Sequence, residues 1–304
     1  MKKAVAASAV VLVLGSCSAV LADLATEFSG FNSVSEIGVS GLKSSYHTPT
    51  KAGNTQPDFL FTLSNERVSY PHGVGQVPSP GGSIGKAFDE GVLGVKVQGG
   101  NLTVKVAGAL NPQTGYYHSG WKTWYGQGDV FVTVADSAGI GHFALLNSWA
   151  RDGSGALRSL DGGHYDQAQT FHVGREGYLV RLDANGDVVR VGGTGAYSPT
   201  YSPAPEGLDY RSYAQGGTDI GNAGLVHSNV ADFGQTWYIQ TWTVPLRWLS
   251  SDPAFDIGLH KTASCGNDQI GMVARVPAPG AAVLGLAGIT TAFLKRRREF
   301  RLKS

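Results

Sequence analysis

Two short segments, Leu93-Gly94-Val95-Lys96-Val97 and Leu102-Thr103-Val104-Lys105-Val106, alternate apolar residues with small or polar ones around Gln98-Gly99-Gly100-Asn101. A period of two puts the apolar side chains on one face of an extended strand, and adjacent glycines supply the positive φ that a tight hairpin turn needs. A helix would smear these apolar residues around its circumference. This segment is therefore predicted as a β-hairpin, and the surrounding chain obeys the same grammar.

Forty-three glycines are scattered among short β-branched and aromatic runs, with turn clusters about every ten residues, and helical periodicity is nearly absent. That pattern predicts an all-β domain of the β-sandwich type. A second hairpin is expected from Tyr178-Leu179-Val180-Arg181-Leu182 through Asp183-Ala184-Asn185-Gly186-Asp187 to Val188-Val189-Arg190-Val191. Further strands are expected at Phe59–Leu63, Val130–Ala135, His142–Trp149, Thr170–Val173, Gln235–Val244 and Phe255–Thr262. Val77-Pro78-Ser79-Pro80-Gly81-Gly82 and Tyr197–Pro205 read as loops.

Both ends depart from this pattern. Lys2-Lys3 precedes an apolar stretch from Ala4 to Leu14, and Val20-Leu21-Ala22 offers the small residues a signal peptidase accepts before Asp23. A competing site, Leu14-Gly15-Ser16-Cys17, resembles a lipobox and would leave a lipidated Cys17. At the other end the apolar run from Val276 to Leu294 is 19 residues long and is followed by Lys295-Arg296-Arg297-Arg298. That length approaches the ~20 residues that span a bilayer as a helix, and the basic cluster favours the cytoplasmic side. The expected organisation is a signal peptide over 1–22, one all-β ectodomain over 23–275 and a membrane-spanning tail over 276–304.

The order of parts in that tail, Pro277-Ala278-Pro279, an apolar stretch, then Arg296, Arg297 and Arg298, resembles the PEP-CTERM sorting signal of bacterial surface proteins. Ala278 stands where that family has Glu. Asp256-Ile257-Gly258-Leu259-His260 and Cys265-Gly266-Asn267-Asp268 resemble a segment that often closes such ectodomains. The resemblance implies transient retention in the inner membrane and processing by an exosortase-type enzyme. It also implies a cell-surface or extracellular location and an association with exopolysaccharide production. Ala22, Pro277, Pro279 and Arg296–Arg298 are the residues on which processing would depend.

With Lys2, Lys3 and the residues beyond Leu294 set aside, 16 Lys and Arg face 22 Asp and Glu, a net charge near −6 where the whole chain carries +1. Nucleic-acid binding needs clustered cations that displace counterions, so an acidic domain argues against DNA or RNA as a partner. Removal of Cys17 with the leader would leave Cys265 alone, excluding an intramolecular disulfide.

No motif spells out a reaction. Gly81-Gly82-Ser83-Ile84-Gly85 has the letters of a nucleophile elbow without the preceding strand, and Gly85-Lys86-Ala87 lacks the spacing of a phosphate loop. Asp183, Asn185 and Asp187 are candidate calcium ligands, although Thr194 stands where an EF-hand requires Glu. Asp161-Gly162-Gly163-His164-Tyr165-Asp166 mixes acids with imidazole and reads as a solvated loop. Aromatic residues cluster at Tyr116, Tyr117, Trp121, Trp124 and Tyr125, and again at Trp237, Tyr238, Trp242 and Trp248. Trp121, Trp124 and Tyr125 are the candidate glycan-stacking residues. The expectation is a non-catalytic structural or adhesive surface protein; the alternatives are a secreted polysaccharide-acting enzyme built on a carboxylate pair and a carbohydrate-binding module.

Overall fold

The computed structural model describes residues 23–35, 43–44, 90–120, 122–183, 188–190, 211–264 and 269–278. The expected leader, the strand expected at 59–63, the glycine-rich 81–86 segment, Cys265 and the chain from Pro279 onward lie outside the described residues.

In chain order the elements are α1 (Leu24–Glu27), β1 (Asn32–Ser35), β2 (Lys43–Ser44), β3 (Glu90–Gln98), β4 (Asn101–Gly108), β5 (Tyr116–His118), β6 (Thr123–Tyr125), β7 (Gln127–Asp136) and β8 (Gly139–Leu145). They continue with α2 (Asp166–His172), β9 (Tyr178–Arg181), β10 (Val188–Arg190), β11 (Arg211–Ala214), β12 (Thr218–Asn222), β13 (Val226–Asp232), β14 (Gln235–Pro245), β15 (Phe255–Ala263) and β16 (Gln269–Val276). The protein is all-β, and among the described residues it forms two six-stranded sheets and two two-stranded ones. One six-stranded sheet runs β13-β14-β4-β3-β1-β2 and the other β12-β9-β8-β7-β15-β16. Every pairing within them is antiparallel except the two-residue contact of β1 with β2.

The hairpin of β3 and β4 forms as its sequence requires. Gln98 pairs with Asn101, and Gly99 and Gly100 turn the chain at φ +59° and +78°, conformations that a Cβ would oppose. Leu93, Val95, Leu102, Val104 and Val106 then share one face and join Trp242 and Val244 of β14. The same core contains Val130, Val132 and Val134 of β7 and Ile257 and Leu259 of β15, so the apolar faces of both sheets meet in it.

The alternate residues of the first sheet build a second, smaller core on its other face. Val92, Ala107, Trp237 and Ile239 pack there beneath Leu24 and Phe28. Helix α1 is only one turn long, so its stability comes from this packing and its cap. Asp23 caps it by accepting a hydrogen bond from the Thr26 amide at 2.7 Å. The Leu24 amide donates to Asp232 Oδ2 at 3.1 Å, tying the segment to the end of β13.

Four sequence expectations are corrected. Residues 170–173 are not a strand, because α2 runs through His172 and buries Ala168 and His172, four residues apart on one helical face. The strand expected at 142–149 ends at Leu145. The second hairpin does not form: β9 lies between β8 and β12, and β10 pairs with β11 instead. Asp161–Asp166 is not wholly solvated, since a short 3-10 turn carries Tyr165 inward to 1 % exposure.

Candidate functional site

Of the residues expected to govern sorting, Ala22, Pro279 and Arg296–Arg298 lie outside the described residues; Pro277 is exposed, directly after β16. Among the described residues no helix is long and apolar enough to cross a membrane.

The aromatic cluster is where the chain offers chemistry to solvent. Strands β5 and β6 pair Tyr117 with Trp124 and Tyr116 with Tyr125. Alternation sends neighbouring residues apart. Tyr125 is buried in a small cluster with Leu110 and Ala263, so it packs and has no face for a sugar. Tyr117 is 43 % exposed, its ring centroid 5.2 Å from that of Trp124. Trp121 lies outside the described residues.

Trp124 is half-buried and carries a cation on its ring. The Arg158 guanidinium carbon lies 3.3 Å from the Trp124 ring centroid, a stacked cation–π contact. Arg158 Nε donates to the carbonyls of Thr114 and Arg151, each at 3.1 Å. Its own backbone is held as well, the amide donating to Ala150 O and the carbonyl accepting from Trp149 Nε1, both at 2.8 Å. The side chain is thus fixed at its root and along its plane. The two terminal Nη groups make no hydrogen bond among the described residues.

Behind this surface lies a closed polar network. His172 Nε2 is 3.0 Å from both oxygens of Asp129, and His172 Nδ1 is 2.7 Å from Ala168 O. Two acceptors facing two ring nitrogens are satisfied only by the doubly protonated imidazolium. Burial alone would push the His172 pKa down. The Asp129 charge, its hydrogen bond and the Ala168 carbonyl outweigh that effect and hold it above the ordinary value. Asp129 also accepts from the amides of Asn147 and Ala214, each at 2.8 Å, so one carboxylate fastens three segments.

Next to Asn147, Ser148 Oγ lies 2.7 Å from His227 Nε2. Burial lowers the His227 pKa, with the Glu176 charge opposing it, so the imidazole is neutral at physiological pH and could accept a proton. Nucleophilic catalysis needs a third group to orient the base. His227 Nδ1 has no hydrogen-bond partner among the described residues, and Ser148 is only 7 % exposed. The pair lacks both the orienter and the access.

The second fully buried ion pair joins Lys261 Nζ to Glu90 Oε1 at 2.6 Å, with Lys261 also donating to Gln127 Oε1. Among the described residues the two deeply buried carboxylates, Glu90 and Asp129, therefore face cations rather than each other. Of the candidate calcium ligands, Asp183 accepts from Thr218 Oγ1 at 2.7 Å, while Asn185 and Asp187 lie outside the described residues. Among the described residues no three His, Cys, Asp or Glu side chains are grouped to hold a metal. Trp237 and Trp242 are fully buried in the two different cores.

The sequence reading named Trp124 but not Arg158, which is 34 residues away and lies over its ring. It also missed Asp129, His172, Ser148 and His227. No local motif marks any of them, because each acquires its role from a residue distant in the chain. No family model, curated protein or solved structure matches the chain.

Proposed function

We propose that this chain is an exported bacterial surface protein of the PEP-CTERM kind. Its single β-sandwich-like ectodomain would act without catalysis, as a structural or adhesive component linked to exopolysaccharide. The observation that carries this reading is the junction at Val276: the last strand of the second sheet ends there, Pro277 is exposed, and the Pro-Ala-Pro, apolar and basic parts follow in order. Such a junction suits a folded domain followed by a separable address. The other end supports the same division, since Asp23, first after the expected Ala22 cleavage site, is the N-cap of α1. The partners implied are an exosortase-type enzyme and, transiently, the inner membrane.

Intact-mass analysis of the protein from its host, fractionated into membrane, surface and medium, tests this. A species beginning at Asp23, ending near Pro277–Gly280 and lying outside the inner membrane is the expected result. A species that keeps Arg296–Ser304, or an unchanged location after deletion of 277–304, refutes it.

A second reading, a carbohydrate-binding module, is favoured by the exposed ring of Tyr117 beside Trp124 and Arg158. It differs in having a defined ligand.

A further inference from the structure

The feature least explained by folding is Arg158. A surface arginine normally keeps its rotamer freedom, and immobilising one costs conformational entropy. Here that cost is met within the domain, by the stack on Trp124 and the two hydrogen bonds from Nε. Both Nη groups, the donors that fit a carboxylate bidentately, are left open among the described residues. A guanidinium held in this way loses little further entropy on meeting an anion.

The neighbouring ring limits what that anion is attached to. Combining the 3.3 Å leg from Arg158 Cζ to Trp124 with the 5.2 Å leg from Trp124 to Tyr117 puts the Tyr117 ring at most 8.5 Å from the guanidinium. Tyr117 presents 43 % of its surface to solvent, an amphipathic ring that can stack on the apolar face of a pyranose. A ligand two rings long can reach both positions, with one ring over Tyr117 and an acid group at Arg158.

We infer that Tyr117, Trp124 and Arg158 form a binding site for acidic saccharides, in which a uronate carboxylate pairs with the Nη groups of Arg158 and an adjacent sugar ring stacks on Tyr117. The inference rests on the reading of the protein as a glycan-associated surface component and names the chemical class of its ligand. Long-range attraction does not explain such binding, because the mature domain carries a net charge near −6 and repels a polyanion as a whole. Asp152 sits close enough to Arg158 to interact with it electrostatically, and its Oδ1 is committed to the Ser154 and Ala156 amides and the Ser154 hydroxyl. Recognition must therefore be local.

The test is affinity electrophoresis of the full-length chain in mild detergent, through gels containing polygalacturonate or its methyl ester, which keeps the rings and removes the charge. Polygalacturonate is expected to retard the protein and the ester to do so about tenfold less, the scale of a lost charge-assisted pair. Arg158→Lys keeps the charge but not the fork or its Nε hydrogen bonds, and Tyr117→Ala removes a partly exposed ring; each is expected to weaken retardation several-fold in protein that still melts cooperatively. Equal retardation by the ester overturns the inference. So does undiminished retardation of Arg158→Lys and Tyr117→Ala. The assay does not depend on export, so failure here removes the ligand site, whereas failure of the host fractionation removes the surface reading.

Discussion

His172 and Asp129 face each other across 3.0 Å with both side chains fully closed to solvent, joining α2 to β7 across 43 residues of sequence. The pair makes the domain's stability depend on pH with a defined sign. The folded His172 pKa lies above its ordinary 6.5, so its stabilisation is complete below about pH 6.5 and is lost as pH rises through the folded value. Urea midpoints are expected to fall on going from about pH 6 to about pH 9. In Asp129→Asn the counter-charge is gone, burial dominates, and the imidazole resists protonation. The slope through pH 6.5 should reverse, with about 3 kcal/mol lost at pH 6. An unchanged slope would contradict the imidazolium assignment.

Glu90 and Lys261 are expected to be strongly coupled. Burial pushes the Glu90 carboxyl up, and Lys261 only partly offsets it, so each charge depends on the other for compensation. Lys261→Met should cost about 3–5 kcal/mol, because it leaves a buried carboxylate without its cation. The double variant Glu90→Gln, Lys261→Met should be more stable than that single one. Additive losses in a denaturation cycle would show the pair to be independent.

Gly91 is required by its neighbour rather than by its backbone. A Cβ there would lie 2.4 Å from Cζ3 of Trp237, a ring with no exposed surface into which to retreat. Gly91→Ala should destabilise the domain by about 1–3 kcal/mol. Gly153→Ala, where nothing lies within 4 Å, should stay within about 0.5 kcal/mol. Thermal melts of the two variants side by side decide this.

The N-terminal segment should behave as part of the domain. Leu24 and Phe28 are fully buried over Trp237 and Ile239. Leu24→Ala is expected to cost about 2–5 kcal/mol. Deletion of 23–31 should also shift the tryptophan emission to the red as water reaches Trp237. A deletion variant with native emission would mean that α1 does not cover the sheet.

Several elements were legible from local chemistry. The β3–β4 hairpin carries its own turn and its own alternation, and β7, β14 and β15 fall on the expected runs. The opposite fates of Trp237, buried, and Tyr238, half-buried, follow from strand alternation. The expected hairpin at 178–191 failed for a nonlocal reason: β9 is hydrogen-bonded on both sides by β8 and β12, leaving no edge for β10. Thr170-Phe171-His172-Val173 has strand-like residue types, yet tertiary packing of Ala168 and His172 selects a helix.

What the sequence determined by itself is whatever depends on a few adjacent residues: the positive-φ turn at Gly99-Gly100, the period-two strands and the all-β class. Backbone sterics act within about four residues, so these signals survive without a fold. The tertiary structure alone decided which strands became neighbours, which aromatic of each pair faced water, and that Arg158 would lie on Trp124 and His172 on Asp129. Burial, dielectric and hydrogen-bond partners are properties of an enclosed volume, and no stretch of chain carries them before the sheets close around it.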